Sequence, residues 1–234
     1  MSKIIAGNWK MNGTRQELID MFDALENLPT NNTVILCPPY TLLNMTTPKN
    51  FSFGAQDCST HDNGAHTGDI SAKMIADTGA KYVIVGHSER RQDHNETSEL
   101  IAAKAVKAIE NKLIPIICVG ETLAEYESGK AFDVVEDQMH KSIPAVKGEI
   151  IVAYEPVWAI GTGKVATLLD IEKMHEHIAS VLGKIGRDET AILYGGSVKP
   201  GNAAEIMNVP NVGGVLVGGA SLKVDDFVPI IQAV

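Results

Sequence analysis

Glu155 stands at the end of a short apolar run, Ile151 to Tyr154, which Pro156 stops at once. A carboxylate is therefore set at the tip of a strand, where it can serve as a general base. Beyond it, Val157 to Ile160 is apolar but too short for a further element, and Gly161-Thr162-Gly163 can swing and offer backbone N–H groups to an anion. The stretch reads as a lid beside a base, although Glu155 by itself is equally a surface residue before an ordinary turn. Other polar residues also follow apolar runs: Asn8 and Lys10 after Lys3 to Ala6, His87 with Ser88 and Glu89 after Tyr82 to Val85. Gly195-Gly196-Ser197 follow Ala191 to Tyr194, and Gly218-Gly219 follow Val215 to Val217. Each has a plain reading alone: a helix cap for His87, a solvated charge for Lys10, a sharp turn for the paired glycines. Brought to one place, they would be a base, a histidine, a lysine and several free amides.

The elements between them say how that could happen. Val34 to Cys37, Phe51 to Ala55 and Ile114 to Val119 complete eight strand candidates, counting Ile150 to Tyr154 as the sixth. Helix-length patterns lie between most of them, such as Thr14 to Leu25, Ala72 to Asp77, Glu96 to Glu110 and Leu168 to Ile185. Strands alternating with helices require a parallel sheet with crossovers, which makes the class α/β. Eight units in 234 residues, near the ~250 typical of the class, fit a closed (β/α)8 barrel over residues 1–234 as a single domain. In such a barrel the strand ends converge on one face, and glycine-rich turns after the last two strands can cradle phosphate.

Composition narrows the partners. Hydrophobic residues make 44% and charged residues 21%, so disorder is not expected, and no apolar run reaches the ~18 residues of a membrane span. The opening MSKIIAGNWK has too short an apolar stretch for a signal peptide, so a cytoplasmic enzyme is expected. A net charge of -9 repels nucleic acid and acidic membranes, so an anionic substrate needs a local device, which Lys10 and the glycine turns supply. Cys37, Cys58 and Cys118 are an odd count without paired spacing, and no disulfide is expected. No metal site is expected either: His61, Asp62 and His66 lie in a loop, and His175 and His177 are two apart on one helix. Gln56 to Ser71 is longer than a crossover needs, and partner contact, ligand contact and tolerated insertion all remain open for it.

Five blocks, GNWKMNG at Gly7 to Gly13, VGHSERR at Val85 to Arg91, AYEPVWAIGTGK at Ala153 to Lys164, YGGSV at Tyr194 to Val198 and LVGGASL at Leu216 to Leu222, span nearly the whole chain. Together and in this order they resemble the triosephosphate isomerases. The resemblance implies interconversion of dihydroxyacetone phosphate and glyceraldehyde 3-phosphate through an enediolate, without a cofactor. It casts Glu155 as the base and His87 as a neutral imidazole whose pKa is depressed by the helix starting at Ser88. Lys10 and Asn8 would stabilise oxygen charge. Gly161, Ser197, Gly218 and Gly219 would grip phosphate, with Ser88 and Glu89 supporting the site. It also implies a homodimer in which the long loop, carrying Thr67, plugs into a second subunit beside Met11. The chain departs from the family's usual pattern at His66 and Asp69 around Thr67-Gly68, at Leu168 where many members have Pro, and at Tyr126 where Arg is usual.

Overall fold

Runs rich in Ile and Val set the strands, because branched side chains are stiff and pack well on a pleated surface. The computed structural model describes residues 2–160 and 166–234. Its strands are β1 (Ile4–Asn8), β2 (Thr33–Cys37), β3 (Ser52–Ala55), β4 (Tyr82–Val85), β5 (Ile114–Val119), β6 (Ile151–Tyr154), β7 (Ala191–Tyr194) and β8 (Gly214–Val217). The described helices are α1 (Arg15–Glu26), α2 (Tyr40–Leu43), α3 (Ala72–Asp77), α4 (Ser88–Asp93), α5 (Ser98–Glu110), α6 (Leu123–Glu127), α7 (Ala131–Ser142), α8 (Leu168–Lys184), α9 (Ala203–Met207) and α10 (Val224–Ile231). Neighbouring strands pair in parallel in chain order, and β8 returns to β1 with Ile4 opposite Gly214, so the sheet closes into the expected (β/α)8 barrel.

Three local readings are corrected. Asn8 is the last residue of β1 rather than a residue past it, paired with Cys37 of β2. α5 starts at Ser98 instead of Glu96, because Thr97 caps it by accepting from the Leu100 N–H. Val157–Ala159 does form an element, one turn of 3-10 helix, with the Ala159 N–H donating to the Pro156 carbonyl at 2.7 Å. The glycine-rich remainder of the expected lid, Gly161-Thr162-Gly163, lies outside the described residues, as does Gly161 as a phosphate ligand.

The core has two layers. Ala6, Ile35, Ile84, Ile116, Cys118, Ile151, Ala153, Leu193 and Leu216 fill the barrel interior. Their strand neighbours, such as Ile5, Leu36, Val85, Ile117, Val152 and Val217, face the surrounding helices. Side chains along a strand alternate between faces, so the residues two beyond Ala6, Ala153, Leu193 and Leu216 continue the inward rows. Those residues are Asn8, Glu155, Gly195 and Gly218: the barrel's own periodicity aims four candidate positions at one rim.

Candidate active site

β4 breaks that alternation. Gly86 takes a left-handed turn at φ 71°, a conformation glycine adopts without strain, and His87 then stands as the N-cap of α4. From there its Nε2 lies 2.9 Å from Glu155 Oε1. The other Glu155 oxygen accepts from the Ser88 N–H at 2.9 Å. His87 Nδ1 accepts from the Glu89 N–H at 3.2 Å, which leaves a lone pair on Nδ1 and places the ring proton of the neutral imidazole on Nε2. His87 and Glu155 are both buried, at 6% and 2% exposure.

The pair tunes itself. Burial works to raise the Glu155 pKa, yet the nearby His87, the Ser88 N–H and Lys10 hold it below the ordinary glutamate value. Burial likewise works to lower the His87 pKa, and the Glu155 carboxylate outweighs it, so the imidazole sits above its usual value. This corrects the expectation of a depressed imidazole. The helix end does act on His87, through the Glu89 N–H, but the opposite charge 2.9 Å away is stronger.

Lys10 adopts a positive φ of 54°, stabilised by its N–H donating to Asn8 Oδ1 at 3.0 Å. Gln56 donates through Nε2 to the carbonyls of Lys10 and Cys37, at 2.8 and 2.9 Å, and so ties the first rim loop to β2. The Lys10 ammonium pairs with Glu89 Oε1 at 2.5 Å. Across the rim, Ser197 Oγ donates to the Ala159 carbonyl at 2.8 Å, and the Ser221 hydroxyl donates to the Gly218 carbonyl at 2.7 Å.

Asn8, Lys10, His87, Glu155, Ser197, Gly218 and Gly219 thus line one cavity of about 280 Å3. That volume falls near the lower end of the ~300–1,000 Å3 typical of ligand pockets and suits a small phosphate ester. Ser88 and Glu89 stand behind His87 and Lys10 without lining it. Met11 and Thr67 are outside it, and Met11 is 96% exposed. Sequence reasoning missed Gln56, and it missed Lys199, a second lysine on the cavity wall. Lys199 follows the glycine turn after β7 by a few residues, a signal that could have exposed it. Among the described residues, no group of three or more His, Cys, Asp or Glu side chains is placed to hold a metal ion.

Fold and cavity together define a (β/α)8 barrel with a buried carboxylate–imidazole pair and glycine turns at its C-terminal rim, the site of a barrel enzyme acting on a small anion. A family model, triosephosphate isomerase, matches residues 3–234. A triosephosphate isomerase of Jannaschia sp. (strain CCS1) is 52% identical, with 99% of this chain and 97% of that protein covered. One from Ruegeria sp. (strain TM1040) is 50% identical at the same coverage, and one from Granulibacter bethesdensis is 46% identical over 100% of this chain and 99% of its own. The chain belongs to the triosephosphate isomerase family.

Proposed function

We propose that this chain interconverts dihydroxyacetone phosphate and D-glyceraldehyde 3-phosphate by moving one proton through an enediolate, as part of glycolysis and gluconeogenesis. The observation that carries this reading is the buried Glu155 carboxylate 2.9 Å from His87 Nε2 in a cavity shared with Lys10 and the last two strand turns. Glu155 takes a proton from the carbon beside the carbonyl, the electron pair of that C–H bond becomes the carbon–carbon double bond, and the carbonyl π pair moves to the carbonyl oxygen. The His87 Nε2–H donates to that oxygen as charge gathers on it, and Lys10 and Asn8 add positive potential. The His87 imidazole passes its Nε2 proton to that oxygen and takes the proton of the neighbouring hydroxyl, whose carbon becomes the new carbonyl, while Glu155 returns its proton to the former carbonyl carbon, so no atom is gained or lost.

Substrate must displace the Glu155–His87 contact, which frees each group for its partner on the substrate. Removing water from Glu155 while doing so raises its basicity. The phosphate rests against Ser197 and the backbone of Gly218 and Gly219, with Gly161 a further donor. The whole span 1–234 acts as one domain, without a metal or other cofactor, in the cytoplasm. No described helix is long and apolar enough to cross a membrane. Two copies join through residues 56–71, Thr67 of one beside Met11 of the other; the 96% exposure of Met11 supports a partner there. Purified protein in a coupled assay should convert one triose phosphate to the other, and in deuterated water the product should carry carbon-bound deuterium. Absence of both would reject the reading.

A further inference from the structure

Glu155 continues through Pro156 into the 3-10 turn Val157–Ala159, and four contacts to other described residues help to fix that turn. The Val157 N–H donates to the Glu121 carbonyl at 3.1 Å, and the Trp158 indole N–H donates to the Glu121 carboxylate at 2.8 Å. The Ala159 carbonyl accepts from Ser197. The fourth contact is the ring of Tyr126, 4.6 Å from the Trp158 ring and tilted by 35°. Tyr126 belongs to α6, an element that supplies nothing to the cavity. Its hydroxyl reaches Asp170 Oδ1 at 3.4 Å, a long hydrogen bond. The other oxygen of Asp170 accepts from the Thr167 hydroxyl and N–H, completing the capping box of α8.

We propose that Tyr126 is a positioning residue for the reaction, clamping Trp158 against the Glu121 carboxylate and tying that clamp to the start of α8. The inference rests on the isomerase reading of this site. Through Trp158 it fixes the turn that begins one residue after the Glu155–Pro156 pair, and with it the Ala159 carbonyl that orients Ser197. Tyr126 is 38% exposed, and a ring kept at the surface of a short helix contributes little to the core. Its stacking partner, by contrast, is two residues from a cavity-lining segment.

Aromatic pairs, when removed, shift an equilibrium about two- to tenfold, so Tyr126→Ala should lower kcat/KM by about that factor in folded enzyme. Tyr126→Phe keeps the ring and should restore most of the rate. The protein has two tryptophans, so 5-fluorotryptophan labelling gives two resonances, assigned with Trp158→Phe. The Trp158 resonance should move in Tyr126→Ala and stay near its parent position in Tyr126→Phe, with Trp9 as the internal reference. A Tyr126→Ala enzyme with the parent rate overturns the proposal, whether or not the resonance moves, and so does a slower enzyme whose Trp158 resonance has not moved. A parent that fails to isomerise would instead remove the proposed function, while the resonance still reports whether Tyr126 holds Trp158.

Discussion

Gly195 sits where the inward row of β7 passes Glu155, and a methyl group there should disturb the base more than Ser197, Gly218 and Gly219, the residues proposed to hold phosphate. A Cβ on Gly195 would lie 3.0 Å from Glu155 Cγ and 3.1 Å from the Tyr154 carbonyl oxygen. The carbonyl cannot yield cheaply, because it accepts from the Gly195 N–H at 2.7 Å in the junction of β6 and β7. The Glu155 side chain must therefore give by about 0.4 Å to regain ordinary contact. Misplacing a reacting group by about 1 Å can cost on the order of 100-fold, so a shift of under half that size should cost roughly fivefold to tenfold in kcat. Gly195→Ala should thus turn over about tenfold more slowly, with inhibition by inorganic phosphate changed less than twofold and cooperative unfolding retained. Initial rates in the coupled assay, phosphate inhibition and a melting curve measure the three. A kcat within twofold of the parent, or a loss of phosphate affinity matching the loss of rate, would refute the claim that Gly195 makes room for the base.

Lys10→Met should weaken substrate binding and slow turnover together, although Lys199 on the same wall will keep phosphate affinity from vanishing; unchanged phosphate inhibition would make Lys10 a mere surface charge. His175 is buried, its pKa pushed down by burial to about 4 from 6.5. The unfolded chain therefore takes up a proton first as pH falls through 6.5, and stability drops progressively to pH 4 by up to about 3 kcal/mol. Urea unfolding at several pH values should show that slope in the parent and a flatter one in His175→Gln; equal slopes would dismiss the assignment. Shortening residues 56–71 should give a monomer of much lower activity by sedimentation and assay, and an unchanged dimer would remove that loop as the joining element.

The strand ends were legible because each apolar run stops at a polar or glycine signal, and a barrel leaves only one face for eight such ends to share. The sequence alone therefore brings Glu155, His87, Lys10 and Ser197 to one rim. What closes the site was not legible. Glu155 and His87 are separated by most of two barrel units, and nothing in their spacing says that they touch at 2.9 Å. The direction of the His87 pKa is consequently not readable from the sequence, which shows the helix that follows it and hides the carboxylate across the barrel. Gln56 is hidden for a similar reason: a lone glutamine opening a long loop carries no local pattern, and its value comes from two distant carbonyls, one in the loop after β1 and one at the end of β2.

The start of α4 explains why these residues work as a set. A helix leaves its first amides without partners inside the helix. Here the Ser88 amide is spent on Glu155, the Glu89 amide on His87, and the Glu89 side chain on Lys10. Three groups from three different rim loops thus take their orientation from two consecutive residues. Gly86 sets that arrangement, because its left-handed turn brings the helix start inward, and a Cβ there would also press on Ile101 at 2.7 Å. The sequence Gly86-His87-Ser88-Glu89 is therefore a single device, in which the turn, the histidine, the free amides and the carboxylate depend on one backbone path. A side chain added at Gly86 should disturb Glu155, His87 and Lys10 together, although the atoms it would press on belong to Ile101.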